Sequence, residues 1–302
     1  MVTVKIPATS ANLGSGFDTI GIALQIYNTV AAEEIEEGLV IDILDESSQY
    51  LPHDTRNLVY RAMKAVFERT GHDVKGLHII QNNSIPVTRG LGSSSSSIVG
   101  GLIAANEICG RRLTKDQLIT LATQIEGHPD NITPAITGGM AIAVKGEQTY
   151  YLSVPVNEDK LRFAVFVPNF TLRTKKARSV LPRTISHSDG VFNTSRAALL
   201  VASMITENYD NLKIALQDRL HQPYRRKLID GVDIIFKKSS DFGALGAYIS
   251  GAGPTVIAIL KAENASQFDE NMQKFLEGSM PKWKMQIIKP DNYGAQIVEG
   301  GN

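Results

Sequence analysis

The stretch Pro86-Val87-Thr88-Arg89-Gly90-Leu91-Gly92-Ser93-Ser94-Ser95-Ser96-Ser97-Ile98-Val99-Gly100-Gly101 joins two apolar segments of different character. Before it, Leu77-His78-Ile79-Ile80 reads as a strand; after it, residues 98–107 read as a helix that begins near Ser93 and ends near Cys109. A strand that enters a Gly-rich turn and then a helix leaves backbone N–H groups pointing outward, with the positive end of the helix dipole behind them. That geometry binds phosphate. Gly90 and Gly92 permit close backbone approach, and the serines add hydroxyls for phosphate oxygens or a metal. The loop is not a Walker A motif, because no Lys-Ser or Lys-Thr follows the second glycine, and it lacks the G-x-G-x-x-G spacing. The plain structural alternative is a serine-rich turn that caps a buried helix.

Two further stretches resemble it in being polar and Gly-punctuated. One, at residues 7–21, reads Pro-Ala-Thr-Ser-Ala-Asn-Leu-Gly-Ser-Gly-Phe-Asp-Thr-Ile-Gly and is expected to be a loop after a first strand at 2–6. The other, at 126–139, sets Glu126, His128, Asp130 and Asn131 among glycines and prolines. It reads as a loop that buries little, so structure alone does not call for so many polar groups. Zinc is a poor reading, since no other His or Cys stands at ligand spacing; Mg²⁺ suits the hard oxygens better, with Glu126 and the Ser94 hydroxyl as candidate metal ligands.

Together the three ordered segments Pro86-x-x-x-Gly90-Leu91-Gly92-Ser93-Ser94, residues 7–21 and Ser250-Gly251-Ala252-Gly253-Pro254-Thr255 resemble the GHMP kinase superfamily, and the His-x-Asp-Asn at 128–131 resembles its homoserine kinase branch. The resemblance spans essentially the whole chain. It implies an α+β fold of two domains, the first similar to domain 2 of ribosomal protein S5 and the second ferredoxin-like, over 1–156 and 157–302. It implies MgATP-dependent phosphorylation of the side-chain hydroxyl of L-homoserine on the route to threonine. For ATP it points to Pro86, Arg89, Gly90, Leu91, Gly92, the serines Ser93, Ser94, Ser95 and Ser96, to Gly251 and Gly253 of a turn that packs on the phosphate loop, and to Asn57 at the adenine, where an N-cap is the equal alternative.

For the amino acid, Asp18 suits the ammonium group, and Arg178 and Arg225 the carboxylate, because a guanidinium fork fixes carboxylate geometry. Asn12, His128 and Asn131 are left for the hydroxyl end, and Asp130 for the ammonium. Thr174 is a candidate contact to the γ-phosphate. Mevalonate kinases place an aspartate near the acceptor hydroxyl where Asn131 stands here, so no dedicated base is expected; a loose transition state needs little prior deprotonation. Two alternatives remain at this level: a mevalonate-type kinase, which has no use for two Arg and an Asp set for a zwitterion, and an inactive ligand sensor, which should have lost a metal ligand or a loop glycine.

Composition agrees with a small-molecule enzyme. The 302 residues suggest two domains or one large one, at ~150 residues per domain. Lys plus Arg equal Asp plus Glu at 31 each, so net charge is zero and a nucleic acid or a membrane surface is a poor partner. A lone Cys109 excludes an internal disulfide and suits a reducing compartment. No signal-peptide pattern and no apolar run near the ~20 residues of a membrane span give a cytoplasmic expectation. A homodimer is left open.

Along the rest of the chain, strands are expected at 27–36 and 39–45, joined by a turn at Glu37-Gly38. Helices are expected at 57–70, with Gly71 as stop, and at 114–125, with Thr114 as N-cap. After a linker at 155–160, strands and helices fall in the order βαββαβ of a ferredoxin-like split unit, with helices near 195–217 as insertions.

Overall fold

The computed structural model describes residues 1–298. Strand β1 (Val2–Ala11) pairs antiparallel with the long β2 (Ile20–Ile35). The strand at 2–6 does not stop at Pro7. The register shifts between Pro7 and Ala8, so the residue without an N–H sits at an irregularity in the ladder. The loop expected over 7–21 therefore shrinks to residues 12–19.

Strand β3 (Gly38–Ile43) does not form a hairpin with β2. The chain runs through helix α1 (Leu58–Thr70) and returns as β4 (Gly76–Asn83), which lies between them, antiparallel to β2 and parallel to β3. The crossover through α1 is what a parallel pair needs. Asn57 caps α1 and Gly71 ends it in the left-handed conformation. Its face of Val59, Ala62, Met63, Val66 and Phe67 is buried.

Helix α2 (Ser93–Ile108) is apolar on most sides and is covered accordingly by α1, by helix α3 (Lys115–Glu126) and by the sheet. A capping box between Thr114 and Gln117 starts α3, and Gly127 stops it at φ 99°. The stretch 126–139 departs from its reading as a loop that buries little. It contains a short helix, α4 (Ile132–Thr137), whose Ile132, Ala135 and Ile136 join the core. Strands β5 (Met140–Lys145) and β6 (Thr149–Val154) complete the first sheet from β2 outward.

The second sheet comprises β7 (Leu161–Pro168), β8 (Gly246–Ile249), β9 (Val256–Lys261) and β10 (Trp283–Ile288) in the order β10-β7-β9-β8, all antiparallel. This is the strand order of the ferredoxin-like plan. Between β7 and β8 run α5 (Thr174–Ser179), α6 (His187–Ile205), α7 (Leu212–Ala215), α8 (Gln222–Arg225) and α9 (Val232–Asp241). Helix α10 (Ala265–Ser279) links β9 to β10. The tail departs from the second unit expected over 157–302. Its strand β11 (Gln296–Val298) pairs with β1 and covers that edge of the first sheet, and residues 299–302 lie outside the described residues.

One core cluster joins the two sheets. Ala8, Leu13, Ile22 and Leu91 pack with Phe163, Val165, Tyr248 and Ile257. At about 25 cal/mol per Å² of apolar surface removed from water, so continuous a seam holds the two sheets together. The three polar signatures emerge along its rim.

Candidate active site

The signatures enclose a cleft of about 260 Å³. A larger groove of about 620 Å³, between α3 and β6, contains none of their residues. Three packing facts assemble the cleft. The Ser250 hydroxyl donates to Gly90 O at 2.6 Å, and a Cβ on Gly90 would lie 2.4 Å from Ser250 O, so the third signature sits directly on the phosphate loop. Asn12 spends both ends of its amide on shape: Nδ2 donates to Gly251 O at 2.9 Å, and Oδ1 accepts from Asp18 N at 3.0 Å. The 12–19 loop is also tied to the second unit, where the Ser15 hydroxyl donates to Ala215 O at 2.7 Å and Asn193 Nδ2 donates to Ser15 O at 3.1 Å. The middle helices, read from sequence as insertions, thus hold the first signature in place.

The phosphate loop ends at Gly92, φ 72°, which caps α2 without any side-chain hydrogen bond. The serines do not cap the helix. Ser94 and Ser95 donate to the two oxygens of Glu126 at 2.9 and 3.1 Å, and Ser96 and Ser97 donate back to Ser93 O. The first amides of α2 are thus left without a side-chain cap, which decides against the plain capping reading. Helical phase sorts the serine run. Ser93, Ser94 and Ser97 line the cleft, while Ser95 and Ser96 are buried behind them, so the last two depart from their expected place at the nucleotide. Pro86, Leu91 and Gly253 are likewise absent from the wall; the Leu91 side chain belongs to the core seam and Gly253 packs under Gly90. Arg89, Gly90 and Gly251 do line the cleft.

Asn57 is also away from the cleft. Its Oδ1 accepts from Val59 N at 2.9 Å and its Nδ2 donates to Pro52 O at 2.8 Å, so it is the N-cap of α1. Its neighbour Leu58 forms part of the wall, with Leu51 and Val87. These apolar residues were not legible as site residues, because nothing in their sequence context separates them from core. Thr88, a β-branched residue at φ 56°, completes that edge in a conformation that costs energy and recurs at functional sites.

Glu126 is the last residue of α3, where a negative charge opposes the helix dipole by about 0.3–1 kcal/mol. The two serine hydroxyls compensate it. Ser94 and Glu126 together offer hard oxygens at the cleft, and among the described residues no three His, Cys, Asp or Glu side chains form a metal cage. That donor set fits Mg²⁺, which keeps water and phosphate oxygens for its remaining positions.

Asp130 is buried and accepts from His128 Nδ1 at 2.8 Å, so this nitrogen carries a proton. Burial pushes the His128 pKa down, but the bond to Asp130 and the charges of Asp130 and Glu126 outweigh it and hold the pKa above its ordinary value. The raised value means that the fold favours the charged ring. Its contribution to stability is full below the unfolded pKa of about 6.5 and is lost as pH rises through the folded value. An NMR titration of the His128 ring should give a midpoint above 6.5 that drops in Asp130→Asn; a midpoint at or below 6.5 in the wild type contradicts the coupling.

Asn131 Oδ1 accepts from the buried Thr9 hydroxyl at 2.8 Å, which leaves its Nδ2 for the cleft. At the far end stand Asp18, Arg178 and Arg225, with Thr174 on the adjoining wall. Asp18 takes a bidentate grip from Arg178, at 2.9 and 2.7 Å, so the arginine fork assigned to a substrate carboxylate holds an aspartate. The bond to Asp18 raises the Arg178 pKa further. Arg225 is 1 % exposed, and burial beside Arg178 pushes its pKa down to about 10. Both guanidinium groups lie against the Phe17 ring, 5.8 and 5.2 Å from its centroid. Phe17 braces both arginines from outside the cleft wall, and sequence reasoning did not single it out.

The fold and this cleft define a GHMP kinase, and the chain belongs to that family. The family descriptions "GHMP kinases N terminal domain" and "GHMP kinases C terminal" match residues 57–139 and 195–278. The chain is 44% identical over 302 residues to a homoserine kinase of Clostridium botulinum, with 99% of each chain covered. It is 48% identical over 299 residues to a homoserine kinase of Caldicellulosiruptor saccharolyticus, covering 98% of this chain and 96% of the other. The crystal structure of a homoserine kinase from Cytophaga hutchinsonii superposes with a TM-score of 0.89 at 28% identity, covering 98% of this chain and 97% of that one. Within the GHMP kinases, its place is with the homoserine kinases.

Proposed function

We propose that this chain transfers the γ-phosphoryl group of ATP to the side-chain hydroxyl of L-homoserine, giving O-phospho-L-homoserine. The observation that carries the substrate is the grouping of Asp18, Arg178 and Arg225 around Phe17, in the same cleft as the phosphate loop. A carboxylate and two guanidiniums match the head group of an α-amino acid. On binding, the Asp18–Arg178 pair is exchanged for one contact from each to the zwitterion, so no charge is left uncompensated.

The amides of α2, with Ser93 and Ser94, hold the phosphates of ATP. Mg²⁺ held by Ser94 and Glu126 would neutralise charge on the transferring group. Asn131 donates through Nδ2 to the acceptor oxygen. A donor cannot serve as base, and Asp130 is engaged by His128, so positioning and charge neutralisation account for the transfer without a dedicated base, the hydroxyl proton passing to an oxygen of the transferring phosphoryl group. Residues 1–156 supply the phosphate loop, and the unit that follows supplies both arginines. Among the described residues no helix is long and apolar enough to cross a membrane, and we place the reaction in the cytoplasm.

The test is a cycle of enzyme variant against substrate analogue. Arg178→Ala should raise the KM for L-homoserine about tenfold to a hundredfold, the worth of one charge-assisted bond, while the KM for ATP stays constant. Arg178→Lys should recover part of the loss. With 3-aminopropan-1-ol, which lacks the carboxylate, the same variant should lose far less. Simple addition of the two losses would remove Arg178 from the carboxylate.

A further inference from the structure

His221 lies behind the amino-acid end of the cleft, is fully buried, and stacks on Phe17 with ring centroids 5.1 Å apart. Its two nitrogens face partners of opposite kind. Nε2 is 2.7 Å from Gly14 O, which can only accept; Nδ1 is 3.2 Å from Arg225 Nη1, which can only donate. One state of the ring satisfies both, the neutral form with its proton on Nε2. The other tautomer sets a lone pair against the Gly14 carbonyl and an N–H against a guanidinium N–H. The cationic ring sets a second positive charge against Arg225 in a fully buried site. Asp218, whose nearest oxygen is 3.7 Å from Nε2, does not compete for the proton. Its oxygens already accept from the Asn193 side chain and from the backbone N–H groups of Leu220, His221 and Gln222.

The consequence falls on Arg225. Its Nη1 spends both protons on the scaffold, one on His221 Nδ1 and one on Gly251 O at 2.7 Å, and its Nε points to Ala177 O at 3.5 Å. Nη2 remains for the cleft. The Gly14 carbonyl that receives the other side of the imidazole belongs to the loop carrying Asp18. One ring thus sets the spacing between the loop that bears a carboxylate and the arginine opposite it.

We infer that His221 is a positioning residue that fixes Arg225 relative to the Asp18 loop, so that the cleft accepts the head group of an α-amino acid at one spacing. The inference rests on the proposed amino-acid substrate. It goes further in assigning discrimination to a residue that never touches the substrate.

The experiment uses His221→Phe, which keeps the ring and the stack on Phe17 and removes both polar atoms, with thermal unfolding as the check on folding. The KM for L-homoserine should rise roughly tenfold or more, the scale of a lost hydrogen bond to a charged group, with the KM for ATP unchanged. With 3-aminopropan-1-ol the variant should match the wild type. In an Arg225→Ala background, His221→Phe should add little further loss. Equal losses for both acceptors, or full additivity with Arg225→Ala, overturn the inference and leave His221 a packing residue. If the wild type itself does not distinguish the two acceptors, the amino-acid reading fails, and the inference fails with it. Should the variant not fold, ¹⁵N NMR of the wild-type imidazole decides. The inference requires an unprotonated Nδ1 and a protonated Nε2 across neutral pH, and a cationic ring or the opposite tautomer overturns it.

Discussion

Glu126→Gln is expected to lower kcat by about a hundredfold or more, since a metal at the transferring phosphate is worth several kcal/mol of transition-state stabilisation. The substitution keeps the side chain's length and one carbonyl oxygen, so one of the two serine hydroxyls, which donate to different oxygens of Glu126, keeps its acceptor and the other loses it. It also removes a charge that opposes the α3 dipole, which offsets the lost serine bond, so stability should change little. A stable variant with a large kcat defect is therefore the expected pair of results. The defect should ease in part at high Mg²⁺ if the carboxylate holds the ion. Steady-state rates across a Mg²⁺ series check this, and near-normal turnover throughout would remove Glu126 from the site.

Gly92→Val should abolish measurable nucleotide binding, read by calorimetry with a non-hydrolysable ATP analogue. The sequence offered one reason, that a Cβ would fill the space the phosphate needs. The structure supplies a different one. A Cβ on Gly92 would lie 2.0 Å from the Thr9 hydroxyl and 3.3 Å from Asn131 Oδ1, on the side of the loop that faces the sheet. The left-handed φ of 72° adds strain for a β-branched residue. The loop must shift, and with it the amides at the head of α2 and the Thr9 bond that orients Asn131. The same displacement should disturb the acceptor end, so any residual turnover should show a raised KM for the amino acid as well. Unchanged affinity in a folded variant would mean that these amides do not hold phosphate.

The parts legible in the sequence were those whose chemistry has no structural excuse. Gly90, Gly92, Ser94, Glu126 and Arg178 are glycine or polar positions that packing alone does not call for, and all line the cleft. The strand order of the second sheet also followed from the alternation of elements, because a split βαββαβ unit has few ways to pair. Partner choice in the first sheet was hidden. The periodicity of 27–45 shows two strands but not that β4 comes between them. The short α4 was masked by Pro134 and the surrounding glycines, though its residues are core. Direction was hidden too. Five identical serines differ only in helical phase, which placed Ser95 and Ser96 behind the site and Ser97 in it. Asn57 was open to two readings, and its two local bonds make it the cap of α1. Phe17 and His221 act through a ring stack between segments 204 positions apart, which no local pattern signals.

The function proposed for this cleft is phosphorylation of an amino-acid alcohol. The most direct measurement is ADP release by the purified protein with MgATP and, in separate reactions, L-homoserine, L-serine, L-threonine and mevalonate, with ³¹P NMR of the product. Saturable turnover with L-homoserine, a phosphomonoester on its side-chain oxygen and no comparable rate with mevalonate are expected. Turnover of mevalonate at a rate equal to or above that of L-homoserine, or no ADP release with L-homoserine, would contradict the proposed function.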